Sequence, residues 1–108
     1  MAQIETREGV RNAEAIAAVD GIDVLFIGPP DLTTNLGVPS QYDRASYLDA
    51  LKMVAAAAAN AGKAAGILLP AREHLPFCRG LGLSVIAFGS DGSAASTGLR
   101  AHARDLGE

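Results

Sequence analysis

Short apolar segments alternate with helical patterns along the chain. Four segments bounded by turn residues stand out, at residues 2–5, 24–27, 66–69 and 85–88, the first of them at the start of the sequence. Uninterrupted apolar runs of this length are typical of strands that are covered on both faces, as in parallel sheets. The pattern therefore predicts four parallel strands.

Between these segments, apolar residues recur every three or four positions, which indicates amphipathic helices. Such faces occur in residues 10–17, 48–58, 75–81 and 95–106, and residues 31–37 allow one further helical turn. The long second helix is predicted to begin in a motif like a capping box, Ser40-Gln41-Tyr42-Asp43. Asp91 is expected to cap the last helix.

The strict alternation of strands and helices predicts an α/β fold with a parallel sheet and right-handed crossovers. Four βα units fit either a small doubly wound sheet or half of an eightfold barrel. Neither G-x-G-x-x-G after the first strand nor G-x-x-x-x-G-K-[ST] occurs in the sequence. A nucleotide-binding fold therefore receives little support.

Composition narrows the classes of partner. The 108 residues carry a net charge of −3, with a sequence pI near 5.3, which argues against nucleic acid or an anionic membrane. The longest apolar run, residues 54–59, is too short to cross a bilayer, and the first ten residues lack the apolar core of a secretory signal. The single Cys78 is expected to pack as a small apolar residue on a helix. A cytoplasmic location is expected.

Candidate chemistry lies at the carboxyl ends of the predicted strands, where ligands bind in either architecture. Two neighbouring strands each end close to a carboxylate, Glu5 and Asp31. Two oxygen acids suit a hard divalent cation that keeps several waters. Two alternatives stay open on spacing alone: Asp31 as a helix N-cap and Glu5 as a solvated strand end.

At these residues the sequence resembles a known family. The motifs Gln3-Ile4-Glu5-Thr6, Ile27-Gly28-Pro29 with Asp31-Leu32, and Gly89-Ser90-Asp91 look like those of the HpcH/HpaI aldolases. These are class II 4-hydroxy-2-oxoheptanedioate and 2-keto-3-deoxy-sugar-acid aldolases. The resemblance covers nearly the whole chain.

The resemblance implies a (β/α)8 TIM-type barrel, of which residues 1–108 would form the C-terminal half with four βα units, since such a barrel needs about 250 residues. It implies a metal-dependent lyase that cleaves 4-hydroxy-2-oxo acids to pyruvate and an aldehyde. Glu5 and Asp31 would bind Mg²⁺, Mn²⁺ or Co²⁺, and Gln3, Gly28, Pro29 and Asp31 would bind the 2-oxo acid. The metal would act as a Lewis acid on the substrate.

Two departures from the family pattern qualify this expectation. Pro30 precedes Asp31 and has no backbone N–H, so one amide that holds the substrate carboxylate in the family is missing here. The family's arginine and proton-moving histidine belong to its N-terminal half, and no residue here replaces them. We therefore expect no catalytic residue within this chain.

The alternatives are an inactive fragment or assembly partner, and an enzyme like the citrate lyase β-subunit or malyl-CoA lyases. A half-barrel has open strand edges and an uncovered apolar interior, so the isolated chain is expected to be unstable or self-associated. The expected partner is a second copy of the chain or a complementing N-terminal half.

Overall fold

A computed structural model describes residues 1–107, and its centre is a parallel sheet of four strands. The strands lie in the sheet in their chain order: β1 (Ala2–Ile4), β2 (Val24–Ile27), β3 (Ala64–Leu68) and β4 (Leu83–Ala87). In a doubly wound sheet the order of the strands reverses after the first ones, so that later strands are added at the other edge. In a barrel each new strand lies beside the previous one. The prediction of a parallel α/β fold is confirmed, and the strand order is that of a barrel segment.

Helices follow each of these strands, with one 3₁₀ turn after β3. They are α1 (Arg7–Arg11), α2 (Ala13–Ala17), α3 (Pro29–Asn35), α4 (Ala45–Asn60), the 3₁₀ turn Arg72–His74, α5 (Leu75–Gly80) and α6 (Asp91–Asp105). The first predicted helix is divided in two at Asn12, whose φ of −94° and ψ of 8° lie outside the helical region. Its apolar face nevertheless reaches the core through Val10, Ala13 and Ala17, as predicted.

The predicted start of the long helix is wrong. Helix α4 begins at Ala45, and its N-cap residue, Arg44, makes no capping hydrogen bond through its side chain. Ser40 has a φ of 57°, in the left-handed region, and its N–H donates to the Thr33 hydroxyl at 3.1 Å. Because Ser40 is held in a turn against α3, it is not available as a helix cap.

Helix α4 supplies much of the hydrophobic core. It packs against β2, β3 and α2, and it buries seven residues. Most of them are alanines, whose small side chains allow the helix to approach the sheet closely. The residues are Tyr47, Ala50, Leu51, Val54, Ala55, Ala57 and Ala58.

The face of the sheet opposite helix α4 is more open. The strand register aligns Gln3, Phe26, Gly66 and Val85 in one row across it. Gln3 is exposed and Phe26 and Val85 are half-buried, while Leu68, beyond this row, is 40% exposed. In a barrel the helices form the outer ring, so this face corresponds to the interior.

Helix α6 forms but does not pack. None of its residues is buried, and Leu99 on the predicted apolar face is 70% exposed. Ser90, rather than Asp91, is its N-cap, because the shorter Ser90 side chain accepts the Ser93 N–H at 3.1 Å in a capping box. Asp91 is the first helical residue, and its carboxylate accepts the Gly92 N–H at 2.7 Å.

Cys78 lies on helix α5. Cys78 is 1% exposed on α5, which confirms that it packs as an apolar residue. Among residues 1–107, no helix has both the length and the apolar character that crossing a membrane requires.

Candidate active site

The carboxyl ends of β1 and β2 are joined beyond the strands themselves. The Gly28 N–H donates to the Ile4 carbonyl oxygen at 3.1 Å, which continues the parallel ladder by one residue. Glu5 and Gly28 therefore leave the sheet next to each other. This is the edge at which the sequence predicted a binding site.

Gly28 makes room for two of the predicted site residues. A Cβ atom built on Gly28 would lie 2.7 Å from Gln3 Nε2 and 3.5 Å from Glu5 Oε2. The side chains of Gln3 and Glu5 therefore lie directly over the Gly28 backbone, where any larger residue would displace them. The structure thus brings together three residues that the sequence placed in one site.

Asp31 lies in the first turn of α3, three residues after Gly28. The helix is capped by Gly28 and opens with Pro29 and Pro30, which suit the first helical positions because their fixed φ fits and their missing N–H is not needed there. Asp31 is the third helical residue, so the alternative that it is the N-cap is wrong. Its side chain is exposed, and of the first three helical residues it alone has an N–H.

Thr33 holds the first turn of α3 in place, although the sequence analysis did not single it out. It is fully buried, and its hydroxyl lies 2.9 Å from the Pro29 carbonyl and 3.1 Å from that of Pro30. The same hydroxyl accepts the Ser40 N–H. The available signal in the sequence was a threonine that directly follows the apolar Leu32. Its contact with Ser40, seven residues later, is a tertiary contact that the sequence pattern does not indicate.

The donor set at this edge fits a hard divalent cation. Within residues 1–107, no hydrogen bond or ion pair engages the carboxylates of Glu5 and Asp31, and the ion pair found is Lys52–Asp49 on the surface. The same part of the chain has no cluster of three His, Cys, Asp or Glu side chains. Two carboxylates would leave several positions of such a cation to water and substrate oxygens.

An open cleft of about 480 Å³ lies beside this edge, where β3 and β4 end. The residues that line the cleft include Pro30, Tyr42, Leu69 and Phe88. Tyr42 is held edge-on against Tyr47, with ring centroids 5.5 Å apart. Tyr42 was missed as a lining residue because it lies in the irregular segment before α4.

Two further polar side chains, His74 and Arg72, follow β3 and lie outside the group around Gly28. His74 is half-buried, with its ring 5.8 Å from that of Tyr42 in an edge-on contact. Arg72 is exposed in the 3₁₀ turn after β3. The binding roles predicted for Gln3, Glu5 and Asp31 stay predictions.

Four parallel strands that lie in chain order, with helices between them, form the arrangement of a TIM-barrel segment. The family model described as HpcH/HpaI aldolase/citrate lyase matches residues 1–97. The chain belongs to this family, which confirms the resemblance noted above.

Individual relatives agree with the family. The chain is 39% identical over 99 residues to a pyruvate aldolase of Rhizobium etli, covering 92% of this chain and 39% of the relative. It is 40% identical over 89 residues to a hydroxypyruvate/pyruvate aldolase of Delftia acidovorans, covering 82% of this chain and 33% of the relative. A solved HpcH/HpaI aldolase/citrate lyase family protein from Burkholderia cenocepacia superposes with a TM-score of 0.88 at 31% identity, covering 98% of this chain and 41% of that one.

The chain thus spans about two fifths or less of the length of these relatives. It corresponds to one part of each of these longer relatives.

Proposed function

We propose that this chain forms part of a metal-dependent aldolase that cleaves a 4-hydroxy-2-oxo acid to pyruvate and an aldehyde. One observation carries the proposal: Gln3 and Glu5 lie over Gly28, at the start of the helix that presents Asp31. The names of the related pyruvate aldolases support the same chemistry.

In this proposal Glu5 and Asp31 hold Mg²⁺, Mn²⁺ or Co²⁺, which as a Lewis acid would withdraw electron density from the oxygens of the 2-oxo acid. Gln3 orients the substrate, because its amide Nε2 lies at the Gly28 backbone and can donate to a substrate oxygen. Gly28 and Pro29 form the floor of the site. Pro30 leaves the Asp31 N–H as the backbone donor of this turn, which weakens or rearranges the binding of the substrate carboxylate.

Proton transfer needs a group from outside this site. Aldol cleavage requires a base that takes the proton of the 4-hydroxyl group, and such a base must lie within hydrogen-bonding reach of it. Glu5 and Asp31 are assigned to the metal, and His74 packs against Tyr42. The chain therefore contributes binding of metal and substrate, and a complementary part of the barrel contributes acid–base catalysis.

A second candidate is an inactive fragment or an assembly partner, and the open face of the sheet favours it. Phe26 and Leu68 are only partly covered there, and helix α6 buries no residue. Thioester chemistry, as in the citrate lyase β-subunit, is a further alternative, but the Ile27-Gly28-Pro29 form of the turn favours the aldolase.

We further propose that this face and the free edges of β1 and β4 pair with a complementing half-barrel or with a second copy of the chain. Analytical ultracentrifugation together with thermal unfolding tests this. A monodisperse monomer that unfolds cooperatively would contradict it.

The test of the metal site is Mn²⁺ binding followed by electron paramagnetic resonance, with and without pyruvate. We expect binding that tightens with pyruvate and is lost in Asp31→Asn and Glu5→Gln. Asp23→Asn is the matched control, because Asp23 is an exposed carboxylate just before β2, at the opposite end of that strand. Equal loss in Asp23→Asn, or no specific binding by the unaltered chain, would favour the inactive fragment.

A further inference from the structure

Two hydrogen bonds join the segment after β1 to the end of α3. The Arg7 backbone N–H donates to Asn35 Oδ1 at 2.8 Å, and Arg7 Nη2 donates to the Leu36 carbonyl oxygen at 3.4 Å. These partners lie 28 and 29 residues apart in the chain. Nothing in the sequence pattern pairs them.

Each bond satisfies a group that a helix end leaves without an intrahelical partner. Arg7 is the first residue of α1, so its N–H has no carbonyl within that helix to accept it. Leu36 follows the last residue of α3, where carbonyl oxygens are free and a cation is favoured by the helix dipole. The start of α1 and the end of α3 therefore complete one another.

The two joined segments are those that carry the acidic residues. Arg7 lies two residues after Glu5, and Asn35 lies four residues, or about one helical turn, after Asp31. The ladder bond from Gly28 to Ile4 ties the segments together on one side of the site. The Arg7–Asn35 bond ties them on the other side, so α3 is held at both of its ends relative to Glu5.

We propose that Asn35 and Arg7 are positioning residues that set the separation of the Glu5 and Asp31 carboxylates and thereby the affinity of the site for a divalent cation. This inference rests on the proposed function. In this proposal neither residue is assigned to the metal or the substrate. They act by preventing α3 from tilting about Gly28, because a cation held by two carboxylates binds weakly when their spacing varies.

Three variants separate this role from a general effect on stability. Asn35→Ala removes the acceptor, whereas Asn35→Asp keeps an Oδ1 acceptor and is the conservative rescue. Asn60→Ala is the matched control, because Asn60 is also the exposed last residue of a helix, α4. Arg7→Ala removes the bond to Leu36 but keeps the backbone donor, so its effect is expected to be smaller than that of Asn35→Ala.

The experiment measures Mn²⁺ affinity by electron paramagnetic resonance and amide hydrogen exchange by mass spectrometry and NMR. We expect Asn35→Ala to weaken Mn²⁺ binding about fivefold, the loss of one typical hydrogen bond. Asn35→Asp should remain within about twofold of the unaltered chain, and Asn60→Ala should not change. The Arg7 amide should exchange faster in Asn35→Ala, while amides inside α4 keep their protection.

The outcomes distinguish this inference from the function on which it rests. If the unaltered chain binds no Mn²⁺, the proposed metal site is wrong and the inference falls with it. If the chain binds Mn²⁺ but Asn35→Ala binds equally well, only the positioning role is overturned. Unchanged exchange at Arg7, or equally faster exchange throughout α4, overturns it as well.

Discussion

Helices α4 and α6 are nearly equal in length, with 16 and 15 residues, yet they relate to the molecule in opposite ways. Helix α4 buries seven residues, whereas α6 buries none. The capping of their ends is the opposite: the unburied helix α6 is the better capped of the two. Helix α6 has a capping box at Ser90 and basic residues in its last turn, whereas the N-cap of α4 makes no hydrogen bond through its side chain.

The comparison shows two routes to a helix. Local signals are sufficient to define α6, since the capping box and the basic residues near its end favour the helix without any tertiary contact. Helix α4 begins without such a signal and is stabilised by packing its apolar stripe against the sheet. Strong capping therefore indicates where a helix forms and not whether it belongs to the core.

The same contrast separates the two ends of the sheet at its carboxyl edge. The β1–β2 end is tied by the Gly28–Ile4 bond, by the Arg7–Asn35 bond and by buried Thr33. At the β4 end Phe88 is 63% exposed and leads directly into the unpacked α6. The proposed metal site lies at the end that the structure holds firmly.

The largest expected effect comes from truncating matched leucines in the two helices. Leu51 in α4 is 1% exposed and Leu99 in α6 is 70% exposed. We expect Leu51→Ala to lower the free energy of unfolding by about 2–5 kcal/mol through lost burial and a residual cavity. Leu99→Ala should stay within about 0.5 kcal/mol of the unaltered chain. Urea unfolding followed by circular dichroism measures both.

A comparable loss in Leu99→Ala would show that α6 packs in solution. Repeating the unfolding at two protein concentrations would then separate packing within one chain from packing against a second copy, because only the latter depends on concentration.

The next largest effect is expected from adding a methyl group at a buried glycine, and it should differ between Gly66 and Gly28. In Gly66→Ala the new Cβ would lie 2.7 Å from the Val85 carbonyl oxygen and 2.8 Å from Phe26 Cδ2. A strand backbone and a half-buried aromatic ring cannot move away easily. We therefore expect Gly66→Ala to lower the free energy of unfolding by about 1–3 kcal/mol. In Gly28→Ala the Cβ meets the end of the flexible, exposed Gln3 side chain, which can move.

Gly28→Ala should therefore destabilise less than Gly66→Ala and should instead weaken the effect of pyruvate on Mn²⁺ binding. Thermal unfolding and the resonance titration, measured on the same samples, provide both readouts. Equal destabilisation by the two substitutions would show that Gln3 is fixed in place as firmly as the core.

The smallest expected effect is a loss of stability in alkaline solution. Burial raises the pKa of the Cys78 thiol above its ordinary value of 9.0. Burial, with smaller contributions from Cys78 and Tyr42, raises the pKa of the Tyr47 phenol well above 10.0. In the unfolded chain these groups ionise at their ordinary values. The unfolded state therefore releases protons first, and the free energy of unfolding falls as the pH rises above about 9.

Each group contributes a slope of at most about 1.4 kcal/mol per pH unit. Urea unfolding between pH 7 and 10.5 measures the slope. Cys78→Ala should reduce it from about pH 9 and Tyr47→Phe from about pH 10, while Leu99→Ala should leave it unchanged. A stability that is constant up to pH 10.5 would contradict the raised pKa of both groups.

Much of this molecule follows from periodicity along the chain. The apolar runs determined the four strands, and their spacing determined that the connections are helices and that the sheet is parallel. Because parallel strands end at a common edge, the sequence also determined that Glu5 and Asp31 follow neighbouring strand ends. The family motifs lie at the same edge, which is why the candidate site could be predicted before the fold was known.

Other features depend on residues far apart in the chain, and only the tertiary structure decided them. The pattern of strands allows a doubly wound sheet as well as a barrel, and the observed strand order resolved that choice. Ser40 turns because it binds Thr33, the Arg7 N–H finds Asn35, and Gly28 is needed because Gln3 and Glu5 lie over it. The apolar stripe of α6 predicted an amphipathic helix, but burial requires a partner surface as well as a stripe, and within residues 1–107 the fold places none against it.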